Sequence, residues 1–226
     1  MKKHLIFCSA AFHVANCNNI LRENEYFFCL LQLRRVIPEN FDIVVCDNTV
    51  SNIDNLINED LKKQLKEVQF LTLDRNIGSQ NIGMGELDEL IHVSQHFDFS
   101  TYDKIVYFTL RKIVTNPWIF EQVNNMQKNA LVSNPPFLHM TNDYNFKYSQ
   151  PTPNLYNDMF FALSNELMTQ YVEYSKINIP TNLQNRIGSE QNLYNFIQKN
   201  NIDIEWLECL GLIRIDYHAH NELQLI

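Results

Sequence analysis

Apolar residues follow two alternating rhythms through the first half of the chain. Short, nearly unbroken apolar runs occupy residues 5–12 (LIFCSAAF), 41–46 (FDIVVC), 68–73 (VQFLTL) and 104–108 (KIVYF). Runs of this length suit strands buried on both faces. Between the first two, apolar side chains recur at 26, 27, 30, 31, 33, 36 and 37, a helical period over residues 23–37 that Pro38 closes. Positions 53, 56, 57, 61 and 65 predict a second, more polar helix over residues 53–66. Leu87, Leu90, Ile91 and Ser94 mark a third, starting near Glu86. Strand and helix alternating in this way predict an α/β fold of three layers, α/β/α, around a mostly parallel, twisted sheet with right-handed crossovers. A ligand of such a sheet sits beyond the carboxyl ends of its strands. Ser9 and Ala10, Asp47 and Asn48, Asp74, Arg75 and Asn76, and Thr109, Leu110 and Arg111 fall there.

The rhythm changes in the second half. Residues 117–126 predict a short helix with Pro117 in its first turn, and residues 130–133 a short strand. Residues 134–153, rich in Pro, Asn and aromatic residues, predict an irregular loop able to cover a site. An amphipathic helix is predicted over 158–174, capped by Asn157 or Asp158, and another over 189–198. Strands are predicted at 202–206 and 212–217. With no repeat, low-complexity stretch or linker, residues 1–226 read as a single domain, with a nucleotide half (1–115) and an acceptor half (116–226).

Composition narrows the partners. The net charge of −8 argues against nucleic acid, whose phosphates are held by an excess of Lys and Arg. It leaves room for a nucleotide, which needs only a local positive site. The first residues carry no signal-peptide pattern and no run reaches the length of a membrane span. The five cysteines are odd in number and lack CxxC spacing; Cys8, Cys29 and Cys46 sit within apolar runs and read as buried thiols of a reducing compartment, so a cytoplasmic location is expected.

Glycine is scarce, five residues in all, yet Gly78, Gly83 and Gly85 fall within residues 76–86 (NIGSQNIGMGE). That concentration predicts an unusual backbone between a strand end and a helix start, where α/β proteins bind phosphates. A long turn without a ligand is the other reading. Arg75 and Asn76 would supply a cation and backbone donors, with Glu86 closing the loop. The spacing matches neither G-x-G-x-x-G nor a P-loop, so neither a dinucleotide nor ATP is indicated.

Other candidates are single residues. Asp47 either hydrogen-bonds a ribose or base edge or caps a turn with Asn48 and Thr49. Of Arg111 and Lys112, strand alternation sends one into the cleft. Arg111, with its planar fork, is the one expected to neutralise a diphosphate. Asp158 and Glu190 sit at predicted helix starts, where capping is one role and general base the other. Asp158 ranks first, because Met159, Phe160 and Phe161 would anchor it. Asp216, His218 and His220 would share one face of an extended segment and could contact a phosphate or metal, or form a polar tail.

These segments together resemble glycosyltransferases of the GT-A type. The resemblance spans nearly the whole chain and rests on the first four strands, Asp47-Asn48, residues 76–86, the YDKIVYFTLR segment (102–111) and the closing LIRIDYHAH. It implies a Rossmann-like sheet whose first half binds a nucleotide-sugar donor and whose second half binds a glycan or lipid-linked acceptor, in polysaccharide biosynthesis. Many members hold a divalent metal with Asp-x-Asp after the fourth strand. Here Thr109-Leu110-Arg111 stands in its place, nearer to branches with a Thr-Gly-Arg-like triplet. The implied reading is metal-independent transfer, with no firm cofactor. The alternatives are a non-catalytic binding protein on the same fold and a nucleotidyltransferase; the latter needs carboxylate-held Mg²⁺, for which no paired carboxylates appear.

Overall fold

A strand buried on both faces needs apolar side chains on both sides of its backbone, and β1 (His4–Ala10) is buried along its whole length. The computed structural model describes residues 2–133, 138–140, 146–148, 153–207, 210–216 and 222–225. Asn18 caps α1 (Asn19–Val36) by accepting a hydrogen bond from Leu21 N, so the helix starts ahead of its apolar period. After β2 (Phe41–Asp47), the helix expected over 53–66 is broken in two. A 3₁₀ turn covers Ile53–Leu56, and α2 (Glu59–Gln64) restarts behind Asn58. Asn52 and Asn58 each capture a backbone N–H, which interrupts the helical ladder.

β3 (Val68–Thr72) leads through a 3₁₀ turn at Ile77–Ser79 into α3 (Ile82–His96). Then come β4 (Lys104–Thr109), β5 (Lys112–Val114), α4 (Trp118–Asn125) and β6 (Ala130–Val132). The stretch expected as an irregular loop contains β7 (Leu138–Met140) and β8 (Phe146–Tyr148). The helix expected over 158–174 is a second correction. Residues from Phe160 pair with β4 as β9 (Phe160–Ser164), and only then does α5 (Asn165–Asn185) start, capped by Ser164. The run Phe160-Phe161-Ala162-Leu163 is apolar on both sides, which suits a central strand better than the first turn of an amphipathic helix. The chain ends in α6 (Ser189–Lys199), β10 (Ile204–Trp206), β11 (Leu212–Asp216) and β12 (Glu222–Leu225).

Seven strands form one sheet in the order β10-β6-β9-β4-β1-β2-β3. β9 runs antiparallel to both its neighbours, and the remaining pairings in this sheet are parallel. A second sheet, β5-β11-β12-β7-β8, is antiparallel throughout. Each face of the large sheet carries its own core. Ile6, Cys8, Val45, Val106 and Phe108 pack with α1 and α4; Leu5, Phe7, Val44, Ile105 and Tyr107 pack with α3, α5 and α6. The three-layer α/β/α architecture expected from the sequence is therefore present. Among the described residues no helix is long and apolar enough to cross a membrane.

The glycines of residues 76–86 serve a different purpose from the one expected. None of them has a positive φ; among the glycines only Gly211 does. Asn81 caps α3 by accepting from Met84 N, so Gly83 and Gly85 lie in its first turn. A Cβ on Gly85 would stand 2.5 Å from the Gly78 Cα, and one on Gly83 would stand 2.5 Å from Ser189 N. Both obstacles are backbone, so the helix start is seated by contacts that no larger residue permits. Gly83→Ala or Gly85→Ala is expected to cost about 1–3 kcal/mol of stability by urea unfolding. Gly188→Ala, whose new Cβ meets only the movable carboxylate of Glu190, should cost less than either.

Candidate active site

β1, β2 and β3 wind to one side while β4 lies on the other side of β1, so the topological switch falls between β1 and β4. A crevice for ligand forms outside the carboxyl ends of the strands at such a point. Ser9 and Thr109 are register partners there, and Leu110 N donates to Ser9 O at 3.1 Å. Ser9 Oγ donates to Glu89 Oε2 at 2.6 Å. Glu89 is 1% exposed, and burial holds its carboxyl well above the usual range. On the β4 side, Lys112 Nζ donates to Thr109 O at 3.0 Å and also to Thr109 Oγ1.

Carboxylates gather beside this point. Glu86, on the first turns of α3, accepts a hydrogen bond from Tyr107 Oη at 3.0 Å. Asp158, just ahead of β9, accepts one from Ser189 Oγ at the start of α6. Burial first, then the Asp158 charge, raises the Glu86 carboxyl; burial first, then the Glu190 charge, raises that of Asp158. Lys112 opposes both shifts, so its ammonium acts on both carboxyls. Tyr107 is fully buried and its hydroxyl is also pushed up, by burial and then by Glu86. Burial thus raises both carboxyls, Glu86 further than Asp158, so the two differ in how readily they ionise.

The other expected site residues are placed elsewhere or otherwise occupied. Asp47 is fully buried, and its carboxylate accepts from Phe12 N at 2.6 Å, Thr49 N at 2.6 Å and Val50 N at 2.8 Å. Of its two expected roles, the turn cap is the one the geometry shows. Ala10 ends β1 beside it, and Asn48 lies against Gly78 and Gly85. Arg75 forms a two-point ion pair with buried Asp88, the Nε bond being 2.7 Å. Asn76 caps the 3₁₀ turn through Ser79 N. Described residues line two hollows beside Arg75, of about 270 and 220 Å³, on the β3–α3 side; neither is lined by Glu86, Asp158 or Lys112.

Arg111 was expected to face the cleft. Instead its Nε donates to Glu25 Oε2 at 2.9 Å, an ion pair with α1 that is mostly buried. Its φ of 70° places it in the left-handed region between β4 and β5, so strand alternation is reset there, and Lys112 Nζ folds back onto the Thr109 and Leu110 oxygens. Sequence alone gave no signal for that turn. Tyr107 was missed because it sits within an apolar run, and Glu89 because it lies among other acidic residues of a helix read for its apolar period. His218 and His220 lie outside the described residues.

The Asp-x-Asp with which many GT-A-type members hold a metal has no counterpart after β4. Thr109, Leu110 and Arg111 offer no carboxylate. Among the described residues no three His, Cys, Asp or Glu side chains are grouped to hold an ion.

No protein-family model matches the sequence, and no curated protein matches it at a significant level. Solved structures do resemble it. One is a protein from Desulfovibrio desulfuricans classed provisionally as a nucleotide-diphospho-sugar transferase. It is 10% identical, with a TM-score of 0.56 over 92% of this chain and 80% of that one. Another is 4-diphosphocytidyl-2C-methyl-D-erythritol synthase from Anaerococcus prevotii, 10% identical, with a TM-score of 0.54 over 92% of this chain and 87% of that one. At such identity the likeness establishes the fold, a mostly parallel sheet of the nucleotide-diphospho-sugar transferase kind.

Glu86 gives a pH test. Its carboxyl rises from the usual 4.5 to about 8 on folding, so the protonated form is favoured in the native state. Its contribution is fully present below pH 4.5 and drains away as pH climbs to about 8. Glu86→Gln, which keeps an acceptor for Tyr107, should flatten that loss. Urea unfolding across this pH range checks it, and parallel curves for the two proteins would contradict the assignment.

Proposed function

We propose that the chain is a glycosyltransferase that moves a monosaccharide from a nucleoside-diphosphate sugar to a hydroxyl of a glycan or similar acceptor. The observation that supports this reading is the gathering of Glu86 and Asp158 beside the topological switch point, within the electrostatic reach of Lys112, on a fold shared with a nucleotide-diphospho-sugar transferase. The donor lies over β1 and β4, against Ser9, Ala10 and Asn48. Asp158 takes the proton of the acceptor hydroxyl as its oxygen bonds to the anomeric carbon. The bond from that carbon to the phosphate oxygen breaks, and its electron pair leaves with the nucleoside diphosphate. Lys112 faces the charge that develops there, the role expected of Arg111 from sequence. Glu86, protonated at neutral pH, adds no negative charge against the diphosphate.

A second reading, nucleotidyl transfer, draws on the likeness to the Anaerococcus synthase, whose named product carries a diphosphocytidyl group. It predicts release of pyrophosphate from a nucleoside triphosphate and a sugar phosphate.

Calorimetric titration with UDP, GDP and CDP, followed by donor-sugar turnover, tests the proposal. Asp158→Asn should bind the nucleotide as the wild type does while transfer falls by about a hundredfold or more. Lys112→Met should weaken nucleotide binding, and Arg111→Met should affect it much less. Failure of all three nucleotides to bind at millimolar concentration would retire the reading.

A further inference from the structure

The sheet edge on the far side of Asp158 from the donor strands ends in a cluster of three aromatic rings. The Tyr156 ring lies 5.7 Å from that of Trp206, edge to face, and 5.3 Å from that of Tyr194. Tyr156 is buried and holds the cluster in place, with Gln198 Nε2 donating to its hydroxyl at 3.1 Å. Tyr194 Oη donates to Asn154 Oδ1 at 3.0 Å, which fixes the second ring. Trp206 is 57% exposed, although it sits in a sheet strand. An indole fixed by neighbours and left open to solvent presents a flat apolar face with polar groups at its rim.

A second, independent feature lies alongside. Trp206 is the register partner of Val132, and Ser133 follows Val132. Asn157 follows Tyr156 and precedes Asp158, and its backbone N–H donates to Ser133 O at 2.8 Å. Ser133 is fully buried and Asn157 is 7% exposed. Ser133 Oγ and Asn157 Nδ2 have no hydrogen-bond partner among the described residues. The Asn157 amide cannot turn to escape this, because its Oδ1 is held by Met159 N at 2.8 Å. Buried polar groups are nearly always paired, so a donor and a hydroxyl left over beside a candidate base point to a polar ligand.

We propose that this corner is the acceptor subsite, with a pyranose ring stacked on Trp206 and its hydroxyls directed to Asn157 Nδ2 and Ser133 Oγ. The inference rests on the transferase reading for the identity of Asp158 as the base, but the platform itself can be tested alone. A pyranose has an apolar face of axial C–H bonds and a rim of hydroxyls that both donate and accept. The Asn157 amide donates to such a hydroxyl, and the Ser133 hydroxyl can accept from it or donate to it. Neither group offers the charge that a phosphate would require. β9 runs against its neighbours, so Asn157 and Asp158 enter it at the same edge where β6 and β10 end. A sugar on Trp206 therefore approaches Asp158 from the side opposite the donor.

Saturation-transfer NMR with methyl glycosides of glucose, galactose and N-acetylglucosamine, with and without UDP, tests this. Wild type is expected to saturate the ring protons of at least one glycoside. Trp206→Ala should weaken that binding about tenfold, while Trp206→Tyr restores most of it and both variants bind UDP as wild type does. Ser133→Ala should weaken the same glycoside. The inference is overturned if no glycoside responds, or if Trp206→Ala binds it unchanged. If UDP does not bind but a Trp206-dependent glycoside signal remains, the platform stands and the transferase reading falls. If UDP binds and the glycoside signal ignores Trp206, the platform alone falls.

Discussion

The start of α3 is seated by two contacts that admit no side chain. Gly85 lies against Gly78, and Gly83 lies against the backbone of Ser189 at the start of α6. Asn81 Nδ2 reinforces the second contact by donating to Ile187 O at 3.0 Å. Ser189 in turn donates to Asp158, and Glu86 follows Gly85 directly. The distance between Glu86 and Asp158 is thus set by how closely two helix starts can approach. That approach fixes everything electrostatic at the switch point. A methyl group at either glycine would move Glu86, and with it the pKa that burial first and Asp158 second raise.

The crevice is acidic in composition, and its carboxyls are either engaged by nearby donors or pushed towards the neutral form by burial. Asp47 spends its carboxylate on backbone donors, Asp88 on Arg75, and Glu89 on Ser9. Burial favours the neutral form of Glu86 and Glu89, so neither need carry its formal charge near neutral pH. Asp158 lies at the amino end of α6, where the helix dipole favours an anion. The same burial that would make a free carboxylate costly is what lets one carboxyl stay protonated beside another that ionises. An anionic chain can in this way present a crevice that does not repel a diphosphate, with Lys112 as its nearby cation.

Much of the fold was legible because strand burial and helical period depend on local sequence. The first four strands and α1, α3 and α6 announce themselves through apolar spacing. The errors fell where a local pattern served a distant contact. Phe160-Phe161-Ala162-Leu163 is compatible with a helix until β4 is known to need a partner. The cluster of glycines was visible, but its cause was the absence of Cβ atoms across an inter-helix contact rather than backbone freedom. Arg111 is engaged by Glu25, and its left-handed φ breaks the alternation on which the choice between Arg111 and Lys112 rested; nothing in the identities of Leu110 or Arg111 demands that turn.

The antiparallel strand is the topological device that unites the two halves. In a purely parallel sheet every strand offers its carboxyl end to the crevice, and each such end is followed by a loop leading away to a helix. β9 enters the sheet from the crevice edge instead, so it is the residues before the strand that lie at that edge. Those residues are Asn157, Asp158 and Met159, tied to their surroundings by Ser133 O, Ser189 Oγ and the Asn157 side chain itself. A base placed on a strand entrance is anchored on its far side by the whole length of β9 between β4 and β6. The donor side is built from strand ends, which are held in register by β1 and β2. In the proposed reaction the glycosyl group passes from donor to acceptor while Asp158 takes the acceptor's proton, which depends on keeping those two edges at a fixed separation, and pairing β9 directly to β4 holds that separation.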